Sequence, residues 1–144
     1  MKNVLRFFGI VAFVAVIGLS MIACDLNNNE ETPTYSLNGI WEASNGTQIT
    51  VSGNTGVFSA FGSLNALWTD AVNKNYVKIG DQRWRNIQNT GNLTWSAETL
   101  GIDFNQSSPN VATGVSYKTV TTIVMSINGQ TLTTDGSLSY TRRR

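Results

Sequence analysis

From Tyr35 to Arg144 the apolar residues recur at every second position more often than at every third or fourth. Ile123, Met125 and Ile127 alternate with Val124 and Ser126, and Leu93, Trp95 and Ala97 share one face of a second run. Val, Ile, Thr and aromatic residues in this alternation favour strands over helices. Turn dipeptides punctuate the pattern: Asn45-Gly46, Gly53-Asn54, Gly80-Asp81, Gly91-Asn92, Asn128-Gly129 and Asp135-Gly136. Short strands between regular turns predict an all-β antiparallel meander, hence a barrel or a sandwich.

Side-chain parity fixes some registers. Treating Ser44-Asn45-Gly46 as a loop sets Trp41 opposite Ile49, with Val51 on the same face. A two-residue type I′ turn at Asn128-Gly129 sets Met125 opposite Leu132 and Ile127 opposite Gln130. The next loop must keep Leu132 on the face of Leu138 and Tyr140. A three-residue loop, Thr134-Asp135-Gly136 with Gly136 left-handed, does so by placing Leu132 opposite Leu138. Residues 55–61 carry Val57 and Phe58 in succession, so their inward face is ambiguous. Residues 75–80 and 82–88 read as a hairpin around Gly80-Asp81, residues 92–97 and 100–104 as strands, and residues 105–109 as a loop. Residues 111–127 are long for one strand and are expected to bend near Gly114.

Residues 63–73 break the alternation. Leu64, Leu67, Trp68 and Ala71 fall at i, i+3, i+4 and i+7, with Ser63 placed to cap. A short helix near residues 64–72, lying against or over a barrel end, and an irregular strand both fit this segment.

The N-terminal residues obey another pattern. Lys2 and Arg6 precede the sixteen apolar, Gly and Ser residues 7–22, too few for a bilayer span of roughly 20. The run ends at Met21-Ile22-Ala23-Cys24, which resembles the bacterial lipobox, where a small residue precedes the cysteine that becomes the lipidated first residue. The resemblance implies a signal peptide over residues 1–23 and acylation at Cys24; two or three acyl chains hold a protein at a membrane far more firmly than one. Residues 25–34 contain Leu26 as their one aliphatic side chain and read as a disordered tether.

Gly39-Ile40-Trp41 is similar to the Gly-x-Trp signature of lipocalins and other calycins. That resemblance implies an up-and-down antiparallel barrel of about eight short strands over residues 35–144, with Trp41 plugging one end. It also implies an arginine late in the chain packed across the tryptophan. Arg142 shares the parity of Leu138 and Tyr140, so Gly39, Trp41 and Arg142 form the expected closing group. The chain looks more like the compact lipocalin-like domains of bacterial lipoproteins than like longer, disulfide-bonded lipocalins. This implies a lipid-anchored location in the cell envelope, at the outer membrane or cell surface rather than the inner membrane.

Composition narrows the chemistry. The chain has no histidine, which excludes a Ser-His-Asp triad and histidine metal ligation, and its lone cysteine excludes an intrachain disulfide. Removing Lys2 and Arg6 with the leader leaves eight basic against nine acidic residues, so no electrostatic footprint for nucleic acid remains. Glu98 and Asp103 are the close carboxylate pair of the domain, but no constellation in the chain supports catalysis, a metal or a cofactor. The tryptophans carry more information. Trp95 reads as core, and Trp68, on the helical segment, could line a barrel mouth. Trp84 admits two readings. It packs inward with Arg83 and Arg85 solvated, or with Asn86 and Gln88 it lines a polar-aromatic cavity that could stack on a flat ligand.

The expected function is therefore a non-catalytic binding module for a small apolar or amphiphilic ligand, attached to the membrane through Cys24. The alternative is a structural or interaction protein that contacts a protein or glycan of the envelope through its outer face or loops. Interior volume separates them: a cavity of at least ~300 Å³ supports carriage, and a filled barrel supports interaction.

Overall fold

The computed structural model describes residues 35–144 apart from Gly136 and Ser137. The leader, Cys24 and the tether lie outside the described residues, as does the backbone expected for Gly136. The element order is β1 (Gly39–Ala43), β2 (Gln48–Ser52), β3 (Thr55–Ala60), α1 (Ala66–Asn73), β4 (Gln82–Gly91), β5 (Thr94–Asn105), β6 (Ser108–Met125), β7 (Thr131–Thr134) and β8 (Ser139–Arg143). Each strand pairs antiparallel with the next, and β8 returns to β1, so the sheet closes into an eight-stranded barrel. Closure buries the alternating apolar face of the short strands without leaving β1 or β8 as an edge.

The β1–β2 loop is the three-residue turn read from parity. Ala43 N donates to Thr47 O at 2.8 Å, and Trp41 stands opposite Ile49. Met125 stands opposite Leu132, also as read, but the turn between them differs. Ser126 N donates to Thr131 O and Gly129 has φ +67°, so the loop is wider than two residues and Ile127 projects into solvent. The β7–β8 register is corrected as well. Leu132 faces Tyr140 rather than Leu138, because the loop begins one residue later than expected. Thr134 N donates to Leu138 O, and Asp135 Oδ2 accepts from Thr122 N at 3.1 Å, which ties the loop to β6.

Other segments depart further from the expectation. Residues 75–80 form no strand. They wrap the C-terminal end of α1, with Tyr76 N donating to Ala71 O and Val77 buried. Residues 105–109 are not a loop: the chain turns at Gln106-Ser107, and Pro109 lies within β6. Residues 94–105 are one strand, and β6 runs 18 residues without a break; next to Gly114, where a bend is expected, its register shifts between Asp103–Gly114 and Phe104–Ala112.

Residues 66–73 are helical. Asn65, not Ser63, is the N-cap, and its Oδ1 accepts from Trp68 N at 3.0 Å. A side-chain clip docks α1 on β6. Asp70 Oδ2 accepts from Ala112 N at 2.7 Å, Lys74 Nζ donates to Ala112 O at 3.0 Å, and the two side chains pair at 2.9 Å.

Two apolar clusters fill the domain. One gathers Trp41, Ile49, Trp84, Trp95, Ile123 and Leu132 inside the barrel. The other joins Phe58 with Ala71, Val77, Leu100, Ile102 and Ala112, where α1 lies against the β5–β6 hairpin.

Ion pairs at the surface give the fold an acid limit. Lys74 and the Ala112 amide hold Asp70 below its usual pKa, Asn86 and Arg85 do the same for Glu98, and Ser116 and Lys118 for Asp103. A carboxylate whose pKa is lower folded than unfolded stabilises the fold fully above its unfolded pKa, and loses that contribution as pH falls through the folded value. The urea midpoint is therefore expected to stay level from pH 7 to about 5 and to fall below about pH 4. Asp70→Asn should flatten part of that acid slope; an unchanged slope would mean that the clip to Ala112 contributes nothing to it.

Candidate functional site

The two ends of the interior are finished differently. At one end, Trp41 is fully buried and its Nε1 donates to Leu37 O at 2.7 Å. Arg142, opposite Trp41 in the β1–β8 register, lays its guanidinium over the indole with Cζ 4.5 Å from the ring centroid. Its Nη1 and Nη2 donate to the Asn38 and Ser36 carbonyls at 3.2 and 2.6 Å. Gly39 has φ +138°, and a Cβ there would meet Arg142 Nη1 at 3.5 Å. The glycine thus supplies a backbone shape that other residues rarely adopt, beneath the arginine that crosses the tryptophan.

Toward α1 the packing opens. A half-open cavity of about 160 Å³ is bounded by Ile49, Phe58, Trp68, Arg83, Leu138 and Tyr140, with Asn45, Thr47 and Asn65 among its polar lining. A shallower cleft of about 360 Å³ shares Trp68 and Arg83 with it and extends along Leu100, Ile102, Lys118 and Thr121. Trp68 stands edge-on to Phe58 with centroids 5.8 Å apart, and Phe58 in turn meets Phe61 at 5.2 Å.

Of the four residues expected at a ligand, Trp68 alone lines these spaces. Trp84 is buried in the packed half, edge-on to Tyr140 at 5.3 Å. Asn86 and Gln88 are exposed. A β-bulge separates them from Trp84. The pairing changes from Arg85–Glu98 to Gln88–Ser96, and Asn86 takes φ +53°. The extra residue reverses parity, so Ile87 turns inward and the amide side chains turn out. Asn86 then donates to Glu98 Oε1 at 2.9 Å.

The residue missed by sequence reasoning is Arg83. Strict alternation places it on the face opposite Trp84. A second irregularity, between Gly56–Trp84 and Val57–Gln82, makes Arg83 an extra residue of β4, and it borders the cavity instead. Its Nη1 donates to Leu100 O, and Cζ lies 5.1 Å from the Trp68 ring centroid. Burial pulls its pKa down, partly offset by the adjacent Tyr140 phenol, whose own pKa burial pushes up. At neutral pH the guanidinium remains charged and the phenol protonated.

The carboxylates singled out in the sequence are engaged elsewhere. Glu98 pairs with Arg85 at 2.6 Å, and Asp103 with Lys118 at 3.1 Å. Among the described residues no group of His, Cys, Asp and Glu side chains is arranged to hold a metal ion. Compared with known proteins, the chain matches no family model, no curated protein and no solved structure.

Proposed function

We propose that this protein is a lipid-anchored, non-catalytic binding protein of the bacterial cell envelope, with a lipocalin-like barrel that takes a small amphiphilic ligand. The observation that carries the reading is the uneven filling of the barrel. The end closed by Trp41 and Arg142 is packed, whereas the end beside α1 holds an apolar cavity with a few placed polar groups, the usual make-up of a ligand site. At about 160 Å³ the cavity alone falls short of the ~300 Å³ set for carriage, and the reading takes the adjoining cleft of about 360 Å³, which shares Trp68 and Arg83, as part of a site for a slender ligand rather than a bulky one. The anchor rests on the position of Cys24, the chain's single cysteine, at the end of the leader's apolar run.

Native mass spectrometry of the detergent-extracted protein tests both parts. The expected spectrum contains a chain beginning at an acylated Cys24 together with an adduct of small mass. Cys24→Ser should accumulate as a precursor that keeps its leader and gains no lipid mass; normal processing of that variant would defeat the lipobox assignment.

The interaction reading keeps one observation in its favour. The cavity proper is small, and the β5–β6 hairpin presents Phe104 and Val111 to solvent. An anchored protein free of adducts would shift the assignment to a partner held on that outer surface.

A further inference from the structure

We infer that the ligand is a single-chain amphiphile with a compact anionic head group, and that Arg83 is the residue that takes the head. This deepens the carriage reading above and rests on it.

The described domain contains six side-chain carboxylates, and each has a partner other than Arg83. Glu42 pairs with Arg143, Asp70 with Lys74, Glu98 with Arg85 and Asp103 with Lys118. Asp81 accepts from Lys78 N, and Asp135 from Thr122 N. Arg83 is drawn in beside the apolar cavity by the irregularity in β4 and has no counter-ion among the described residues. A desolvated cation without an opposite charge is costly to keep, and an entering anion would remove that cost. The guanidinium offers a planar fork of donors suited to carboxylate or phosphate, and one of its nitrogens is already fixed by the Leu100 carbonyl. Tyr140 stands beside it as a neutral phenol able to donate a further hydrogen bond.

The walls supply the rest of the ligand. Ile49, Phe58 and Trp68 offer an apolar passage for an alkyl chain. Lys118, which borders the adjoining cleft, is already paired with Asp103, so Arg83 is the cation left for an anionic head.

The test uses the full chain in a neutral detergent, incubated in turn with equal concentrations of decanoate, decyl phosphate, decan-1-ol and decyltrimethylammonium, with adducts read by native mass spectrometry. An anionic adduct should exceed the alcohol and the ammonium adducts by roughly ten-fold or more, as expected for hydrogen bonds to a charged group. The anion that gives the larger adduct identifies the head group. Arg83→Met should bring the anion down to the level of the alcohol, and Arg83→Lys should retain part of the preference. Equal adducts from all four probes on the unmodified chain would overturn the anionic assignment while leaving carriage intact. No adduct from any probe would overturn carriage itself, and this inference with it. The four-probe comparison needs no substitution, so a variant that fails to fold does not remove the test.

Discussion

Trp41→Ala should lower the stability of the domain by about 3–5 kcal/mol, read as a shift of the urea midpoint at constant slope. The side chain is fully buried, so its removal leaves a void that the surrounding Leu37, Ile49 and Leu132 would have to fill. It also strands the Leu37 carbonyl, which accepts from Nε1 at 2.7 Å, and removes the surface over which Arg142 lies. Domains of this size are stable by about 5–15 kcal/mol, so the variant should be partly unfolded at modest urea. Trp41→Phe separates the contributions. It keeps much of the packing and the ring under Arg142 but loses the N–H, so it should recover more than half of the loss. A cost below about 1.5 kcal/mol for the alanine variant would show that the end of the barrel does not depend on this indole.

Gly62→Ala should also be strongly destabilising, for a reason unrelated to backbone torsion. A Cβ at Gly62 would lie 1.9 Å from Asn45 O and 2.5 Å from Gly46 C, all backbone atoms of the β1–β2 loop. No rotamer can relieve that overlap. The chain leaving β3 crosses the loop at this point and is fastened there by Ser63 N to Asn45 O at 2.7 Å and Asn45 Nδ2 to Ser63 O at 3.0 Å. Separating the segments breaks those bonds, and a loss of roughly 3 kcal/mol is expected. That corresponds to a drop of roughly 10–20 °C in thermal midpoint. Gly91→Ala is the matched control. Its Cβ would meet nothing within 4 Å and its φ is not positive, so the change should stay within about 0.5 kcal/mol. Similar midpoints for the two variants would mean that the crossing yields easily. Asn45 and Thr47 line the cavity, so Gly62→Ala should also reshape its mouth.

How far the sequence reveals this architecture depends on what parity can register. Alternation finds the inward face of β1 and β2, and with loop length it gives Trp41 opposite Ile49. It cannot detect a slip of two residues, since that preserves the face. Leu132 therefore has the expected orientation but lies against Tyr140, which is held in place by its contact with Trp84. Parity also fails wherever a strand carries an extra residue. The irregularities in β4 bring Arg83 to the cavity and send Asn86 and Gln88 outward, and nothing in the local sequence marks them beforehand. Residues 75–80 have strand-like composition but act as a cover for α1, a role set by tertiary contacts rather than by periodicity. Trp68 is legible in the sequence because helical spacing is a different signal from strand spacing. Arg83, the cation at the centre of the candidate site, is not.

The clip between α1 and β6 has a consequence beyond holding the helix. Beyond the stretch that pairs with β7, β6 carries main-chain polar groups that a strand from a neighbouring molecule could engage. At Ala112 both groups are already taken by Asp70 and Lys74, and Pro109 interrupts the same strand with a nitrogen that has no proton to give. Without those blocked positions the margin would offer a longer open edge to a strand of a second copy of the chain. The ion pair that fastens the helix thus also leaves no free main-chain group at Ala112 for edge pairing.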